Sequence, residues 1–225
     1  MPRSINDSHL IVSANPMSPF AESYRVLRTN IQFSSVDTQF QVLMVASAQA
    51  GEGKTTVISN LAAAYAQEGK RVLLIDMDLR KPSLHYFFSQ TNHKGLTSLL
   101  TGQLTTQDVV IQTQVPNLSL ITAGPTPPHP AEMLSSQKMS QLMEELRRDY
   151  DIILVDTPPI LAVTDGLLAS VLCDGVILVV QASVVKKALV LKAKERLEHV
   201  QARIVGTVLN QLNRDDNLNV GYYGM

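Results

Sequence analysis

A glycine-rich segment between an apolar run and a helix-forming run constrains the fold of this chain more than any other feature. Residues 48–55 read Ala-Gln-Ala-Gly-Glu-Gly-Lys-Thr and fit the pattern G-x-x-x-x-G-K-[ST], with alanine in place of the first glycine. The apolar run at 42–46 enters the segment as a predicted buried strand. Residues 55–67 leave it as a predicted helix that stops at Gly69. A strand, a glycine-rich loop and a helix in this order indicate a phosphate-binding loop rather than a surface turn.

Each residue type in this loop suits phosphate binding. Gly51 and Gly53 let backbone N–H groups turn inward and approach phosphate oxygens, and the following helix directs its positive end to the same place. Lys54 is expected to reach the β- and γ-phosphates, and the hydroxyl of Thr55 is expected to ligate Mg²⁺. The sequence therefore predicts that a nucleoside triphosphate is bound by the loop residues Ala50, Gly51, Glu52, Gly53, Lys54, Thr55 and Thr56.

Composition restricts the class of protein further. The 225 residues suit one domain with appendages, and 45% of them are apolar but only 5% aromatic, so we expect the aliphatic core of a buried parallel sheet. The net charge of −1 offers no electrostatic footprint for nucleic acid or for an anionic membrane. The single cysteine, Cys173, is predicted to be a core residue. Because no run reaches about 18 apolar residues and the start lacks a signal-peptide core, we expect a cytoplasmic protein that reaches a membrane only through a partner.

Apolar strands alternate with helical stretches along the central body, which predicts an α/β protein with a mostly parallel sheet and helices on both faces. Strands are expected at 41–46, 71–76, 118–122, 151–156, 175–180 and 203–209. Helices are expected near 55–67, 95–101, 137–149, 164–172 and 185–199. A further helix should begin with Ser18 as its cap and Pro19 in its first turn, and should end near Phe33. The predicted organisation is thus a flexible arm, a P-loop NTPase-like domain and a flexible tail, at residues 1–17, 18–212 and 213–225.

Two of the predicted strands end in aspartate. Asp156 follows the apolar run at 153–155, and Asp76 follows the run at 72–75. In an open parallel sheet a ligand lies beyond the carboxyl ends of the strands, so both aspartates should meet the phosphate loop in one crevice. There they would hold Mg²⁺ together with Thr55. The alternative for either aspartate alone is an ordinary strand terminator or helix cap.

The residues after Asp76 extend the candidate site. Asp78 lies two positions further on, and the two carboxylates could divide the work, with Asp76 on the metal side and Asp78 facing an incoming hydroxyl as a base. A phosphotransferase needs such a base, whereas a hydrolase has to position water. Arg80 and Lys81 either bind phosphate or are solvated, and the sequence does not decide between these roles.

Three of these motifs together resemble the bacterial tyrosine kinases (BY-kinases), which are P-loop enzymes of the capsule and exopolysaccharide machinery. The three motifs are Asp76-x-Asp78-x-Arg80, Asp156-Thr157-Pro158-Pro159 and Gly51-Glu52-Gly53-Lys54-Thr55. The predicted N-terminal helix adds a fourth match, to the E-x-x-R-x-x-R motif of that family, so the resemblance runs from about residue 18 to the C-terminus. It implies an ATP-dependent protein-tyrosine kinase. By this resemblance Lys54, Asp76 and Asp78 are catalytic, and Thr55, Asp76 and Asp156 hold Mg²⁺.

The resemblance also implies partners. In the family a membrane protein of the polysaccharide co-polymerase type activates the kinase, and here that activator would be a separate chain that recruits the kinase to the inner face of the cell membrane. The substrates would be protein tyrosines, a cognate phosphatase would reverse the modification, and no nucleic acid would be involved.

The fourth motif has two interpretations. Glu22, Arg25 and Arg28 are spaced three apart and share one helix face, which by itself predicts a local ladder of ion pairs. In the family the motif joins neighbouring subunits head to tail, so the resemblance implies a closed homo-oligomeric ring, for which the family precedent has eight subunits.

The C-terminus departs from the family pattern. BY-kinases end in a cluster of tyrosines that they phosphorylate, whereas this chain has only Tyr222 and Tyr223 there. We interpret these two as autophosphorylation sites, and the alternative is a pair of loosely packed aromatic residues at a frayed end. Asn210, at the end of the last predicted strand, either reads adenine or is a turn residue.

Two rival functions remain at this point. An ATPase switch of the MinD and ParA type shares the fold and both aspartate-ended strands, but those proteins carry a second lysine five residues before the loop lysine, where this chain has Gln49. The other rival is a non-catalytic assembly protein that binds nucleotide only to set its oligomeric state. Nothing in the sequence excludes the second.

Overall fold

A computed structural model describes residues 10–34 and 39–212. In this part of the chain seven strands form one sheet. They are β1 (Val42–Ser47), β2 (Val72–Asp76), β3 (Ile111–Gln112), β4 (Leu118–Ile121), β5 (Ile152–Asp156), β6 (Gly175–Gln181) and β7 (Ile204–Asn210). Their order across the sheet is β3-β4-β2-β5-β1-β6-β7, and every neighbouring pair is parallel except β3 and β4.

Ten helices accompany the sheet over the same described residues. They are α1 (Ile11–Ala14), α2 (Pro19–Phe33), α3 (Lys54–Gln67), α4 (Leu84–Phe87), α5 (Leu96–Leu100), α6 (Thr106–Val109), α7 (Pro130–Leu134), α8 (Gln137–Asp149), α9 (Asp165–Ser170) and α10 (Lys187–His199). No helix among them combines the length and the apolar character that crossing a bilayer requires.

The central strands are buried on both faces, because alternate side chains of each strand enter different apolar layers. In β1, Leu43 and Val45 pack with the layer that contains α3, whereas Val42, Met44 and Ala46 pack with the layer that contains α8 and α10. The continuous apolar runs of the sequence are explained by this two-sided burial. The predicted fold class, a mostly parallel sheet with helices on both faces, is confirmed.

Strand register brings the candidate site together. β1 lies inside the sheet between β5 and β6, so the phosphate loop leaves from the interior of the carboxyl edge. Asp76 pairs with Asp156 across β2 and β5, and Asp156 also pairs with Val45 of β1. The two strand-end aspartates therefore lie side by side, next to the start of the loop.

The N-terminal helix forms as its sequence predicts. Ser18 is the cap, its hydroxyl accepts a hydrogen bond from the Ala21 N–H at 3.1 Å, and Pro19 occupies the first helical position. The helix ends at Phe33, also as predicted.

The structure differs from the sequence prediction at several short elements. Within the predicted flexible arm, Ile11–Ala14 form one helical turn, in which Val12 is fully buried and its N–H donates to Asn60 Oδ1 at 3.2 Å. The prediction of an irregular arm was therefore wrong for this turn, which is too short to show a periodicity. The sequence prediction also missed the two-residue antiparallel strand β3 and the single-turn helices α4, α6 and α7, for the same reason.

Candidate functional site

The phosphate loop has the backbone that its glycines predict. Gly51 and Gly53 have φ angles of 85° and 91°, in the left-handed region that side chains disfavour. A Cβ on Gly53 would also collide with the side-chain amide of Asn210. The helix α3 starts at Lys54, directly after the loop, so its free N–H groups face the end of β1.

Lys54 lies across this loop with its side chain largely enclosed. The residue is 9% exposed, and its ammonium group donates to Ser47 Oγ at 2.9 Å. Ser47 in turn donates to the Gln49 carbonyl at 2.6 Å, so the last residue of β1 holds the lysine in place. Burial lowers the pKa of Lys54, and the charges of Asp156, Asp78 and Glu52 oppose that shift.

Thr55 and Asp156 are in direct contact in the crevice. The Thr55 hydroxyl donates to Asp156 Oδ2 at 2.6 Å. Asp156 is only 2% exposed, and its other oxygen, Oδ1, is buried without a hydrogen-bond partner among the described residues. Burial raises the pKa of Asp156 to about 6, against the opposing effects of the Thr55 hydrogen bond and the Lys54 charge. A buried carboxylate oxygen with nothing to bind beside a threonine oxygen suits a small hard cation.

Asp76 is fully buried and is bonded mainly to its own loop. Its Oδ2 accepts from the N–H groups of Ser83 and Leu84, both at 3.0 Å, and its Oδ1 accepts from the Asp78 N–H at 3.1 Å. Burial and then the nearby Asp156 charge raise the pKa of Asp76 to about 8. The carboxylate therefore fixes the segment between β2 and α4, and it lies beside Asp156.

The residues after Asp76 have distinct surroundings. Asp78 is half-buried, and its Oδ1 accepts from the Lys81 N–H at 2.9 Å, while its charge acts on both Lys54 and Asp156. The charges of Asp78 and Asp156 thus act on the same lysine.

The sequence left the role of Arg80 open, and the structure gives this residue a partner inside the chain. Its guanidinium makes a bidentate pair with the fully buried Asp165, with N···O distances of 2.8 Å and 3.1 Å. Lys81 is exposed to solvent. Neither Asp165 nor Ser47 was singled out from the sequence, since no local pattern predicts a partner so far along the chain.

Two predicted nucleotide contacts have side chains engaged within the protein. Glu52 is 1% exposed, and its carboxylate accepts from the N–H groups of Gln49 at 2.5 Å and Gln181 at 3.3 Å. The backbone N–H of Glu52 is therefore the group left for a phosphate. The Asn210 amide donates to the Glu52 carbonyl at 2.9 Å and so supports the back of the loop. Adenine recognition by Asn210 stays a prediction.

The helix motif divides into two parts. Arg25 bonds Glu22 at 3.0 Å and the Pro16 carbonyl at 2.7 Å, on an exposed face of α2. Arg28 instead turns towards α3, where it donates to the Ala64 carbonyl at 2.8 Å and lies 3.6 Å from a Glu68 oxygen. The predicted ring contact remains a prediction, and Tyr222 and Tyr223 lie outside the described residues.

Comparisons with known proteins identify the family. A family model described as an AAA domain matches residues 40–208. The tyrosine-protein kinase YwqD of Bacillus subtilis is 42% identical over 216 residues, which span 96% of this chain and 91% of that protein. The crystal structure of the chimerical protein CapA2B2 superposes with a TM-score of 0.89 at 40% identity, covering 92% of this chain and 91% of the other. The kinase domain of the Escherichia coli tyrosine kinase ETK superposes with a TM-score of 0.88 at 34% identity, covering 96% and 84%.

The rival ATPase switch is a more distant match. MinD from Pyrococcus horikoshii, complexed with Mg-ADP, superposes with a TM-score of 0.67 at 25% identity and covers 77% of this chain and 71% of its own. MinD therefore shares the P-loop fold, while the tyrosine kinases share the fold, more of the length and more of the sequence. This chain belongs to the bacterial tyrosine-protein kinases, and the prediction of a protein-tyrosine kinase is confirmed.

Proposed function

We propose that this kinase transfers the γ-phosphoryl group of Mg·ATP to tyrosines of its own C-terminal tail and of other proteins, and thereby regulates the synthesis and export of a capsular or extracellular polysaccharide. The observation that carries the proposal is the convergence of Lys54, Asp78 and Asp156 at the carboxyl ends of β1, β2 and β5. This set provides one cation for phosphate oxygens, one carboxylate for a metal and one for a proton.

The residues of the crevice fit Mg²⁺. The Thr55 oxygen and the unpartnered Oδ1 of Asp156 would hold the ion, and Asp76, beside Asp156, would support its water shell. Bound Mg²⁺ supplies charge neutralisation for the β- and γ-phosphates. The chain itself supplies the loop N–H groups and the Lys54 ammonium to bind and orient those phosphates.

Asp78 is the proposed base. In the transfer, the tyrosine oxygen forms a bond to the γ-phosphorus while the bond from that phosphorus to the bridging oxygen breaks, and the phenolic proton passes to the Asp78 carboxylate. The half-buried position of Asp78 supports this role. The backbone N–H of Lys81 donates to its Oδ1 and so holds the carboxylate, while the residue remains in contact with the solvent from which a peptide would enter.

The tail is the proposed internal substrate. Tyr222 follows Leu212 by ten residues, a length that spans roughly 33 Å when extended at about 3.3 Å per residue. That reach suffices for the crevice of a neighbouring copy or of the same chain.

Replacing Tyr222 and Tyr223 together by phenylalanine is expected to remove most self-phosphorylation and to spare transfer to an added tyrosine peptide, because the tail is substrate and not part of the site. Phosphopeptide mass spectrometry after incubation with Mg·ATP measures this. Tyr86→Phe is the matched control, since Tyr86 is 73% exposed and lies on α4 beside the site. A main phosphotyrosine at Tyr86, or unchanged labelling of the double variant, contradicts the assignment.

We further propose that the kinase is cytoplasmic and that a separate activator of the polysaccharide co-polymerase type recruits it to the inner face of the cell membrane. There it assembles as a ring of eight subunits, and a cognate phosphatase removes the phosphoryl groups that it transfers. The net charge of −1 supports recruitment by a protein rather than by anionic lipid. Exposed Phe20 and Val26 on α2, beside the Glu22–Arg25 pair, support a subunit contact on this helix.

Replacing Glu22 and Arg25 by alanine is expected to give monomers that still bind ATP, because an unmatched charge in a subunit contact costs more than an exposed one. Arg28 is left in place, since its bond to Ala64 also packs α2 on α3. Light scattering before and after addition of Mg·ATP gives the mass. Lys194→Ala with Glu198→Ala removes an exposed ion pair of α10 as the control. Equal masses for the wild type and the α2 variant would mean that the motif forms only local ion pairs on the helix surface and no subunit contact.

A further inference from the structure

Ser83 connects two parts of the crevice that are far apart in the sequence. Its hydroxyl oxygen lies 2.9 Å from the hydroxyl oxygen of Thr55, 28 residues earlier in the chain. Its backbone N–H donates to Asp76 Oδ2 at 3.0 Å. The residue is half-buried between the phosphate loop and the segment that follows β2.

The Ser83 hydroxyl does not have the role that its position in a helix predicts. Ser83 is the residue before α4, where a serine side chain ordinarily accepts a hydrogen bond from the first turn. The structure has no such side-chain cap at α4. The N–H groups of Ser83 and Leu84 donate to the Asp76 carboxylate instead, so the serine hydroxyl can contact Thr55.

The number of hydroxyl hydrogens determines which of the two hydroxyls donates the hydrogen bond between them. Thr55 has one hydroxyl hydrogen, and this hydrogen is donated to Asp156 at 2.6 Å. The hydrogen between Ser83 and Thr55 therefore comes from Ser83. A threonine oxygen has two lone pairs, so the one that accepts from Ser83 leaves the other for a cation.

We propose that Ser83 is a positioning residue for the metal ion. Its hydrogen bond orients the Thr55 hydroxyl so that the remaining lone pair points to the metal position. Because Asp76 holds the segment between β2 and α4, on which Ser83 lies, the orientation of Thr55 also depends on that segment. This inference rests on the proposed binding of Mg²⁺ by Thr55 and Asp156. Ser83 then strengthens nucleotide binding only when Mg²⁺ is present.

The test compares ADP affinity with excess Mg²⁺ and with EDTA, by calorimetry on the full chain, so that no turnover intervenes. Ser83→Ala keeps the backbone N–H that binds Asp76 but removes the hydroxyl, and it is expected to lower the Mg²⁺-dependent gain in affinity about fivefold, the effect of one hydrogen bond. ADP affinity in EDTA should not change. Ser83→Thr, which retains a hydroxyl, should restore the gain.

Ser47→Ala is the matched control. It also removes one hydroxyl of the crevice, but this hydroxyl contacts Lys54 rather than Thr55. Its loss should weaken ADP binding by a similar factor in both conditions.

The outcomes separate the two proposals. A wild type whose ADP affinity is the same with Mg²⁺ and with EDTA refutes the metal site of the proposed function. If the wild type shows a Mg²⁺-dependent gain in ADP affinity and Ser83→Ala retains it in full, the role of Ser83 is refuted while the metal site stands. Equal weakening of Ser83→Ala in both conditions, or a Ser83→Thr variant that matches Ser83→Ala, also overturns it.

Discussion

Lys54→Met is expected to lower tyrosine phosphorylation by about 10²–10³-fold, the loss typical of one charged or hydrogen-bonding group that stabilises a transition state. The ammonium is held by Ser47 and is largely shielded from solvent, and by the proposed function it binds the phosphates of ATP. Methionine has a similar length and no charge, so the fold should be retained because the variant buries no new polar group.

Steady-state transfer to a tyrosine peptide and a thermal melt together measure this effect. Lys70→Met is the matched control and should match the wild type in both assays, since Lys70 is exposed and lies just beyond the C-terminal end of α3. Near wild-type phosphotyrosine in Lys54→Met would show that the phosphate loop is not the catalytic site.

Asp156→Asn is expected to weaken Mg²⁺-dependent nucleotide binding by about 10- to 100-fold, as removal of a group that supports a bound metal does. The asparagine oxygen still accepts the hydrogen bond of Thr55, so the geometry is preserved while the charge is lost. The nucleotide-free protein should melt at a higher temperature near pH 7, since burial raises the pKa of Asp156 and its charged form is therefore unfavourable in the folded state, and the variant removes that charge.

A Mg²⁺ titration of ADP binding tests the first part and calorimetric melting without metal tests the second. The matched control is Asp151→Asn, which lies just before the opposite end of β5 in a surface pair with Arg71. If Asp156→Asn bound Mg·ADP as the wild type does, the carboxylate would not belong to a metal site.

The main parts of the fold and of the site follow from local sequence. Apolar runs that end in Asp76 and Asp156 predict buried parallel strands, and parallel strands bring their carboxyl ends to one edge whatever the loops between them do. The glycines of the phosphate loop were predictable because a left-handed backbone needs them.

The remaining features depend on partners that are distant in the chain. Nothing local indicates that Glu52 turns its carboxylate towards Gln181, or that Arg80 pairs with the buried Asp165. Ser83 follows proline and precedes a helix, which predicts a helix cap, and its actual contact with Thr55 arises only when the two loops meet. The placement of Arg28 against α3 depends in the same way on how two helices pack.

The proposed function is tested most directly by asking whether the γ-phosphoryl group of ATP is transferred to tyrosine. Purified protein is incubated with Mg·ATP labelled in the γ-phosphate, with and without a peptide from a candidate membrane activator, and phosphotyrosine and free phosphate are both counted. We predict labelled phosphotyrosine in the wild type, more of it with the activating peptide, and about 10²–10³-fold less in Lys54→Met. Release of free phosphate without phosphotyrosine in either condition would contradict the kinase and favour an ATPase switch.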